Sequence, residues 1–224
     1  MWEKPEAGDL EYGLRLDARL PKTEGSLMAG RFLANSPVYH PRGDILSGMP
    51  VLAKQYVAYD MVGLAATHAS ESLLLKLEAA FKHRLPLQGW REDSLVYACE
   101  KTDVVDAAAG VEYNANNRYQ IAVEVSNRHH IDAENALQLA ERNQTALHLT
   151  VTRGFLNQTL DMAYVLYYQV TDRDILHDIQ LSYRPSDSLE IQMSFAYIDS
   201  SRRLSPLGRY RGEDRLTFEV RYFL

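Results

Sequence analysis

Hydrophobic and polar residues alternate along much of this chain, and the pattern is clearest at its end. The last eleven residues place Leu216, Phe218, Val220, Tyr222 and Leu224 at alternate positions, with charged residues or threonine between them up to Tyr222. Successive side chains of a β-strand point to opposite faces of a sheet. This segment therefore predicts a strand with one apolar face and one charged face.

The same period of two recurs in nine other segments, so the sequence predicts ten strands. Several of these segments reach ten to twelve residues. Strands of soluble proteins cluster near about five or six residues, whereas a tilted membrane strand needs about 9 to 11. Their length favours strands that cross a membrane. The predicted strands are residues 9–20, 55–67, 72–83, 103–114, 118–126, 145–152, 159–170, 177–184, 188–198 and 214–224.

Alternation alone does not distinguish a membrane barrel from a soluble one, because a lipocalin-like barrel has the same period with its apolar face turned inward. The connections add a second criterion. Long connections at residues 21–54, 84–102 and 127–142 alternate with short turns at residues 68–71 and 114–117. Outer-membrane barrels have long outer loops and short periplasmic turns, and an even strand count puts both ends on the periplasmic side.

We therefore expect an all-β protein with an antiparallel, up-and-down transmembrane β-barrel of about ten strands. It forms one domain over residues 1–224 and lies in the outer membrane of a Gram-negative bacterium. The apolar row of the last strand (Leu216, Phe218, Val220, Tyr222 and Leu224) resembles the signal that the barrel assembly machinery reads, so this machinery and membrane lipid are expected partners.

If the apolar rows face lipid, the charged rows face the lumen. These charges have both signs, so we expect most of them to pair across neighbouring strands, because unpaired charges in a confined interior are costly. A polar constriction that selects cargo is the alternative. The candidate lumen residues are Glu11, Arg15, Asp17, Arg19, Lys76, Glu78, Lys82, Asp106, Glu112, Arg118, Glu124, His148, Asp161, Asp178, Arg184, Glu190, Arg215, Glu219 and Arg221.

Composition excludes several other functions. The net charge of −6 comes without a lysine-rich block, which argues against a nucleic-acid partner. The single cysteine, Cys99, has no disulfide partner and no metal-ligand companions. No segment approaches the roughly eighteen apolar residues of a membrane-spanning helix. The N-terminus lacks a basic stretch followed by an apolar one, so we expect a secretory signal to be removed or missing from this sequence.

Two groups of residues are candidate enzyme sites. His129, His130 and Asp132 lie together in a long connection, which is more simply a polar loop, and we expect no metal or other cofactor there. His177 and Asp178 are adjacent in a strand, so they point to opposite faces and cannot act together. No Gly-x-Ser-x-Gly motif is present. An enzyme acting on lipid or peptide and an adhesin-like structural barrel remain alternatives to a channel.

Two long connections carry expectations of their own. Residues 132–142 are rich in helix formers and follow a candidate cap at Asp132, which predicts a short helix. Residues 21–50 contain four prolines and are expected to form either an ordered extracellular flap or a disordered loop.

Four phrases of the sequence look like the C-terminal part of a proteobacterial outer-membrane β-barrel family of unknown function. They are residues 74–81 (LLKLEAAF), 103–113 (DVVDAAAGVEY), 155–160 (FLNQTL) and 210–218 (YRGEDRLTF). The resemblance covers roughly residues 50–224. Members of that family are longer and are associated with RND-type exporters and a periplasmic lipid-binding-like protein. The resemblance thus implies a channel or export component for a hydrophobic or lipid-like cargo, and this chain would be either a whole barrel or the C-terminal part of a larger one.

Overall fold

A computed structural model describes residues 10–42, 51–90, 97–115, 119–131, 142–202, 205 and 207–223. These residues form thirteen strands and two short 3-10 turns, at Leu156–Gln158 and Gly208–Tyr210. The strands are β1 (Tyr12–Arg19), β2 (Thr23–Leu33), β3 (Val38–Arg42), β4 (Val51–Gln55), β5 (Ala58–Ser70), β6 (Leu73–Trp90), β7 (Tyr97–Ala115), β8 (Tyr119–His130), β9 (Asn143–Phe155), β10 (Leu160–Gln169), β11 (Asp174–Ser186), β12 (Leu189–Asp199) and β13 (Arg215–Tyr222). No helical turn in this part of the chain is long and apolar enough to cross a membrane.

Eleven of the strands form one sheet in the order β1-β2-β5-β6-β7-β8-β9-β10-β11-β12-β13, and β3 pairs with β4 in a separate hairpin. Every neighbouring pair in the large sheet is antiparallel. Consecutive strands are therefore neighbours, apart from the β3–β4 hairpin, which is inserted between β2 and β5. The predicted all-β, up-and-down architecture is confirmed.

The structure differs from the predicted strand list mainly in the first long connection. Residues 21–50 were expected to be a loop, but they contain β2 and β3, so the large sheet has eleven strands rather than ten. Strand β2 was missed because small and apolar residues occupy both of its faces. Met28 lies opposite Arg15 on one face, and Leu27 lies opposite Leu16 on the other. A period of two is invisible when both rows are hydrophobic. The helix predicted for residues 132–142 falls almost wholly outside the described residues.

Because the large sheet has an odd number of strands, its two edge strands, β1 and β13, run in the same direction. One end of the sheet, the turn end, carries the tight connections at residues 20–22, 71–72 and 187–188. The opposite loop end carries the connections at residues 34–57 and 200–214. Strands β1 and β13 both run from the loop end to the turn end. The start of β1 therefore lies at the loop end and the end of β13 at the turn end. The expectation that both lie on the same side of the membrane is wrong for these strands.

Side chains divide cleanly between two faces of the large sheet. On β12 and β13, Met193 pairs with Phe218, whereas Gln192 pairs with Glu219 one position away. Paired residues of antiparallel strands project to the same face. The resulting apolar face carries the hydrophobic rows of all eleven strands. The polar face carries most of their charges.

The apolar face is exposed rather than packed against another layer. Val123 and Leu147, in the middle of the sheet, are 38% and 36% exposed. Few large side chains are buried anywhere in the described part of the chain. A soluble protein places such rows in its core and seldom exposes a contiguous apolar surface of this kind. Lipid is the solvent in which these rows are stable, as expected for a transmembrane β-barrel.

Strands β6 and β7 extend well past the apolar rows. Their register shifts between Lys82 and Leu85, and Arg84 has a φ of 58°, the left-handed region that non-glycine residues seldom adopt. Beyond this irregularity the pairing resumes, from Leu85 with Thr102 to Trp90 with Tyr97. The loop end of the sheet therefore carries a projecting two-stranded ladder.

The two faces of β13 provide a test of membrane insertion. Val220 pairs with Ile191 on the apolar face, and Thr217 pairs with Ser194 on the polar face. An arginine on the lipid face costs about 2–4 kcal/mol at the membrane midplane and less near the surface. We expect Val220→Arg to reduce the heat-modifiable, membrane-inserted fraction, and Thr217→Arg to leave it unchanged. Equal tolerance of both substitutions would contradict the lipid assignment.

Candidate functional site

The candidate site is the polar face of the large sheet. The register and the ion pairs place the candidate lumen residues of the described strands on this one face. Arg118 lies outside the described residues. Glu11 precedes β1 and its carboxylate accepts a hydrogen bond of 2.8 Å from the backbone N–H of Leu33. The residues that share the polar face are Arg15, Asp17, Arg19, Lys76, Glu78, Lys82, Asp106, Glu112, Glu124, His148, Asp161, Asp178, Arg184, Glu190, Arg215, Glu219 and Arg221.

Asp106 is the centre of the tightest ion-paired group on this face. Lys82 donates to its Oδ2 over 2.6 Å from β6. Arg128 donates from β8 to both carboxylate oxygens, at 2.7 and 3.0 Å. The three side chains are half-buried, so these charge-assisted hydrogen bonds are less screened than those of exposed pairs. The group joins three adjacent strands on the polar face.

A second network lies near the turn end and joins β10 to β13. Arg184 contacts Asp161 at 3.1 Å and Glu190 at 3.8 Å. Arg221 contacts Glu190 at 3.8 Å and donates two hydrogen bonds to Glu219, at 2.8 and 2.9 Å. Apart from Glu190, these side chains are more exposed than Asp106, so the pairs that lack Glu190 contribute less. Sequence reasoning could place the charges on one face, but not choose their partners.

Smaller pairs complete the pattern. Lys76 approaches Glu112 at 3.3 Å, and Arg15 pairs with Asp17 at 2.8 Å along the same strand. The expectation that charges of opposite sign pair with one another agrees with these contacts. Some of the pairs lie within one strand rather than across two.

Besides Asp174 at the loop end, three carboxylates of the polar face have no cationic partner among the described residues. Glu78 lies between Ala65 and Ala108 on the flanking strands, and Glu124 lies between Gly110 and His148 without a hydrogen bond to either. Asp178 lies between Val165 and Ala196. Its Oδ2 accepts a long hydrogen bond of 3.4 Å from Gln180, and its buried Oδ1 has no partner. Among the polar-face cations of the described strands, Arg215 alone lacks an ion pair. Unpaired charge on this face is therefore mainly negative.

A cavity of about 710 Å³ opens on the polar face beside these groups. Its charged lining includes Arg15, Glu78 and the Lys82–Asp106–Arg128 group, while small residues such as Ala65, Ala80, Ala108 and Ala146 form much of its floor. Short side chains keep this part of the face open. Longer residues at those positions would fill the space.

An apolar strip crosses the polar face next to the cavity. Phe32 pairs with Tyr59 across β2 and β5, with ring centroids 6.1 Å apart, and Met61 pairs with Gly30 on the same two strands. Met28 and Met61 also line the cavity. The sequence prediction missed this strip because it depends on β2.

Buried polar contacts at the loop end fix the connection between β12 and β13. The Asp174 side chain is fully buried, and it accepts hydrogen bonds from the Ser205 hydroxyl at 2.7 Å and the Leu207 N–H at 3.0 Å. The Ser205 hydroxyl oxygen also lies 2.8 Å from the carbonyl oxygen of Arg202 and 2.8 Å from the Ser200 hydroxyl. A buried carboxylate needs such partners. The connection is thus tied to the start of β11.

The candidate enzyme residues that the structure describes do not converge, and Asp132 lies outside the described residues. His177 pairs with Tyr197 on the apolar face, where its Nδ1 is 2.8 Å from the Tyr164 hydroxyl, and Asp178 lies on the polar face. His129 bonds Asn143 at 2.6 Å, while His130 points to the opposite face. The described residues contain no group of three or more His, Cys, Asp or Glu that could hold a metal ion.

Comparison with solved structures gives the same fold. The outer-membrane protein OmpT of Vibrio cholerae is similar with a TM-score of 0.50 at 13% identity, over 95% of this chain and 64% of that one. The fold is that of an outer-membrane β-barrel. No protein-family model and no curated protein sequence matches the chain.

Two further similarities are weaker. The KdgM porin in complex with disordered oligogalacturonate matches with a TM-score of 0.37 at 11% identity, over 95% of this chain and 91% of that chain. The Pseudomonas putida toluene transporter TodX matches with a TM-score of 0.38 at 10% identity, over 96% of this chain and 73% of that chain.

The difference between paired and unpaired carboxylates predicts their effects on stability. Asp106→Asn leaves Lys82 and Arg128 without their shared anion, so we expect it to lower the free energy of unfolding by about 1–2 kcal/mol, less than for a fully buried pair. Glu78→Gln removes an unpaired charge from the same face and should leave stability unchanged or slightly raised. Urea unfolding in detergent micelles measures both. A larger loss for Glu78→Gln would contradict the observed pairing.

Proposed function

We propose that this chain forms the wall of a channel in the outer membrane, with the apolar face in lipid and the polar face toward a water-filled lumen. The separation of the two faces carries this proposal. Rows of exposed hydrophobic side chains cover one side, and ion pairs, unpaired carboxylates and an open cavity lie on the other. An interior of this kind is typical of channel-forming barrels. The candidate lumen residues then line the path of the cargo.

The unpaired carboxylates set the ion preference of such a channel. Glu78, Glu124 and Asp178 add negative charge that neighbouring cations do not neutralise, whereas Arg215 is the single unpaired cation among the described polar-face residues. Rings or rows of fixed charge attract counter-ions and exclude ions of the same sign. The proposed channel is therefore cation-preferring.

Current recording across planar lipid bilayers tests this proposal. We expect the purified protein to give discrete conductance steps and, under a KCl gradient, a reversal potential of the sign for cation preference. The double variant Glu78→Gln/Glu124→Gln should conduct while its K⁺ to Cl⁻ permeability ratio falls toward one. Asp60→Asn, on the apolar face opposite Arg31, is the control and should keep the ratio. Absence of conductance would overturn the channel, and an unchanged ratio in the double variant would overturn only the charge assignment.

We further propose that the cargo has a hydrophobic or lipid-like part. The family resemblance implied such a cargo, and the strip of Met28, Phe32, Tyr59 and Met61 supports it with an apolar surface beside the lumen cavity. An apolar molecule can contact this strip while the paired charges next to it stay hydrated. Coupling to an RND-type exporter and a periplasmic lipid-binding protein rests on the resemblance and stays a prediction, as does recognition of the last strand by the barrel assembly machinery.

Substitution within the strip tests the cargo. Met61→Asp places a charge in the apolar strip, so we expect it to slow the flux of an apolar dye across proteoliposomes while K⁺ conductance is retained. Thr67→Asp adds the same charge to the polar face of the same strand, nearer the turn end, and should not slow the dye. Equal dye flux through both variants and the unmodified protein would contradict a hydrophobic cargo.

A further inference from the structure

Burial on the large sheet is concentrated at its loop end. Every buried residue of the described part lies there, whereas the middle of the polar face and the turn end are half-buried or exposed. Val104 pairs with His130, and Gln169 pairs with Asp174, so four of these buried residues belong to the polar face. The polar face is therefore covered at its loop end and open along the rest of its length.

The connection between β12 and β13 forms part of this cover. It leaves β12 at the loop end and folds back to β11 and to the turn that precedes it. The Ser201 hydroxyl donates to the carbonyl oxygen of Asp172 at 2.7 Å, and the Arg202 guanidinium is 3.3 Å from the Asp172 carboxylate. The Gln169 amide donates to the same carboxylate at 3.1 Å. Because Gln169 also lines the cavity, the connection lies at the loop-end limit of this cavity.

Asp174 holds the middle of the connection in this position. Its fully buried carboxylate accepts hydrogen bonds from the Ser205 hydroxyl and the Leu207 N–H, at 2.7 and 3.0 Å. A buried carboxylate that lost these donors would be strongly destabilised, so the burial of Asp174 and the fold of the connection depend on each other. Gly208 is a second requirement, because any side chain there would collide with the carbonyl oxygen of Arg202.

We propose that Asp174 is the positioning residue that keeps this connection folded over the loop-end mouth of the lumen, where the connection sets the size limit of the channel. This inference rests on the proposed channel function. Release of the connection widens the mouth beside β10, β11 and β12 and leaves the turn end unchanged. Small solutes cross in either state, whereas larger ones cross only when the connection is released. Selection by size at the loop end is thus separate from selection by charge at Glu78 and Glu124.

Amide hydrogen exchange tests the position of the connection without any need for conductance. We expect Asp174→Ala to speed exchange of residues 207–212 at least about tenfold, the factor that corresponds to one lost hydrogen bond to a charged group. Asp60→Ala is the matched control, because Asp60 lies near the loop end on the apolar face and contacts Arg31 rather than the connection. Unchanged exchange in Asp174→Ala would overturn the role of Asp174.

Swelling of proteoliposomes in neutral oligosaccharides of increasing length tests the size limit. We expect Asp174→Ala to shift this limit to longer oligosaccharides than the unmodified protein admits. Gly208→Ala should give the same shift, because it displaces the connection without removing a charge or altering a strand of the sheet. Asp60→Ala should keep the limit of the unmodified protein. Neutral solutes separate the effect of size from that of the lumen charges.

A reversible crosslink provides the decisive comparison within one protein. The double variant Asp174→Cys/Ser205→Cys in a Cys99→Ser background replaces the hydrogen bond between these side chains with a disulfide. The oxidised form should keep the size limit of the unmodified protein, and reduction should shift it to that of Asp174→Ala. An unchanged limit after reduction and in Gly208→Ala, while the protein conducts, would overturn this inference alone. Absence of conductance and swelling in every variant would overturn the channel, and this inference with it.

Discussion

Backbone hydrogen bonding in a solvent that offers no partners is the constraint on which the rest of this structure depends. Each N–H and C=O within the hydrocarbon layer must be satisfied by another strand. The up-and-down sheet meets this need strand by strand through antiparallel ladders. The alternation of side chains then follows from geometry, since each ladder presents one row to lipid and the next to the opposite side.

This constraint also explains why the polar face is built from ion pairs. A charge on that face is close to charges on neighbouring strands. Asp106, for example, binds both Lys82 and Arg128, so one carboxylate satisfies two cations from the strands on either side. The unpaired Glu78 lies instead between two alanines at the open cavity, and Glu124 lies between Gly110 and His148. Paired and unpaired charges are thus distinguished by their neighbours rather than by residue type.

Much of the fold could be predicted from the sequence because a lipid-facing strand needs apolar residues at every second position. Strand β13 and the faces of β7 and β12 follow directly from that rule. Strand β2 did not, since methionine, phenylalanine and glycine occupy its polar face and remove the contrast between rows. The contacts of Asp174 with Ser205 and Leu207 could not be predicted, because they join residues distant in sequence through an irregular connection. Which charges pair also depends on register, which alternation alone leaves open.

The projecting ladder of β6 and β7 has a consequence for the outer surface. Residues 85–90 and 97–102 continue the sheet past Arg84, and six residues of strand span about 20 Å. This length carries the paired strands well past the last residue of the apolar row on β6, Phe81. If the loop end faces the cell exterior, the hairpin is the part of the molecule that large objects in the medium, such as antibodies or phage particles, meet first.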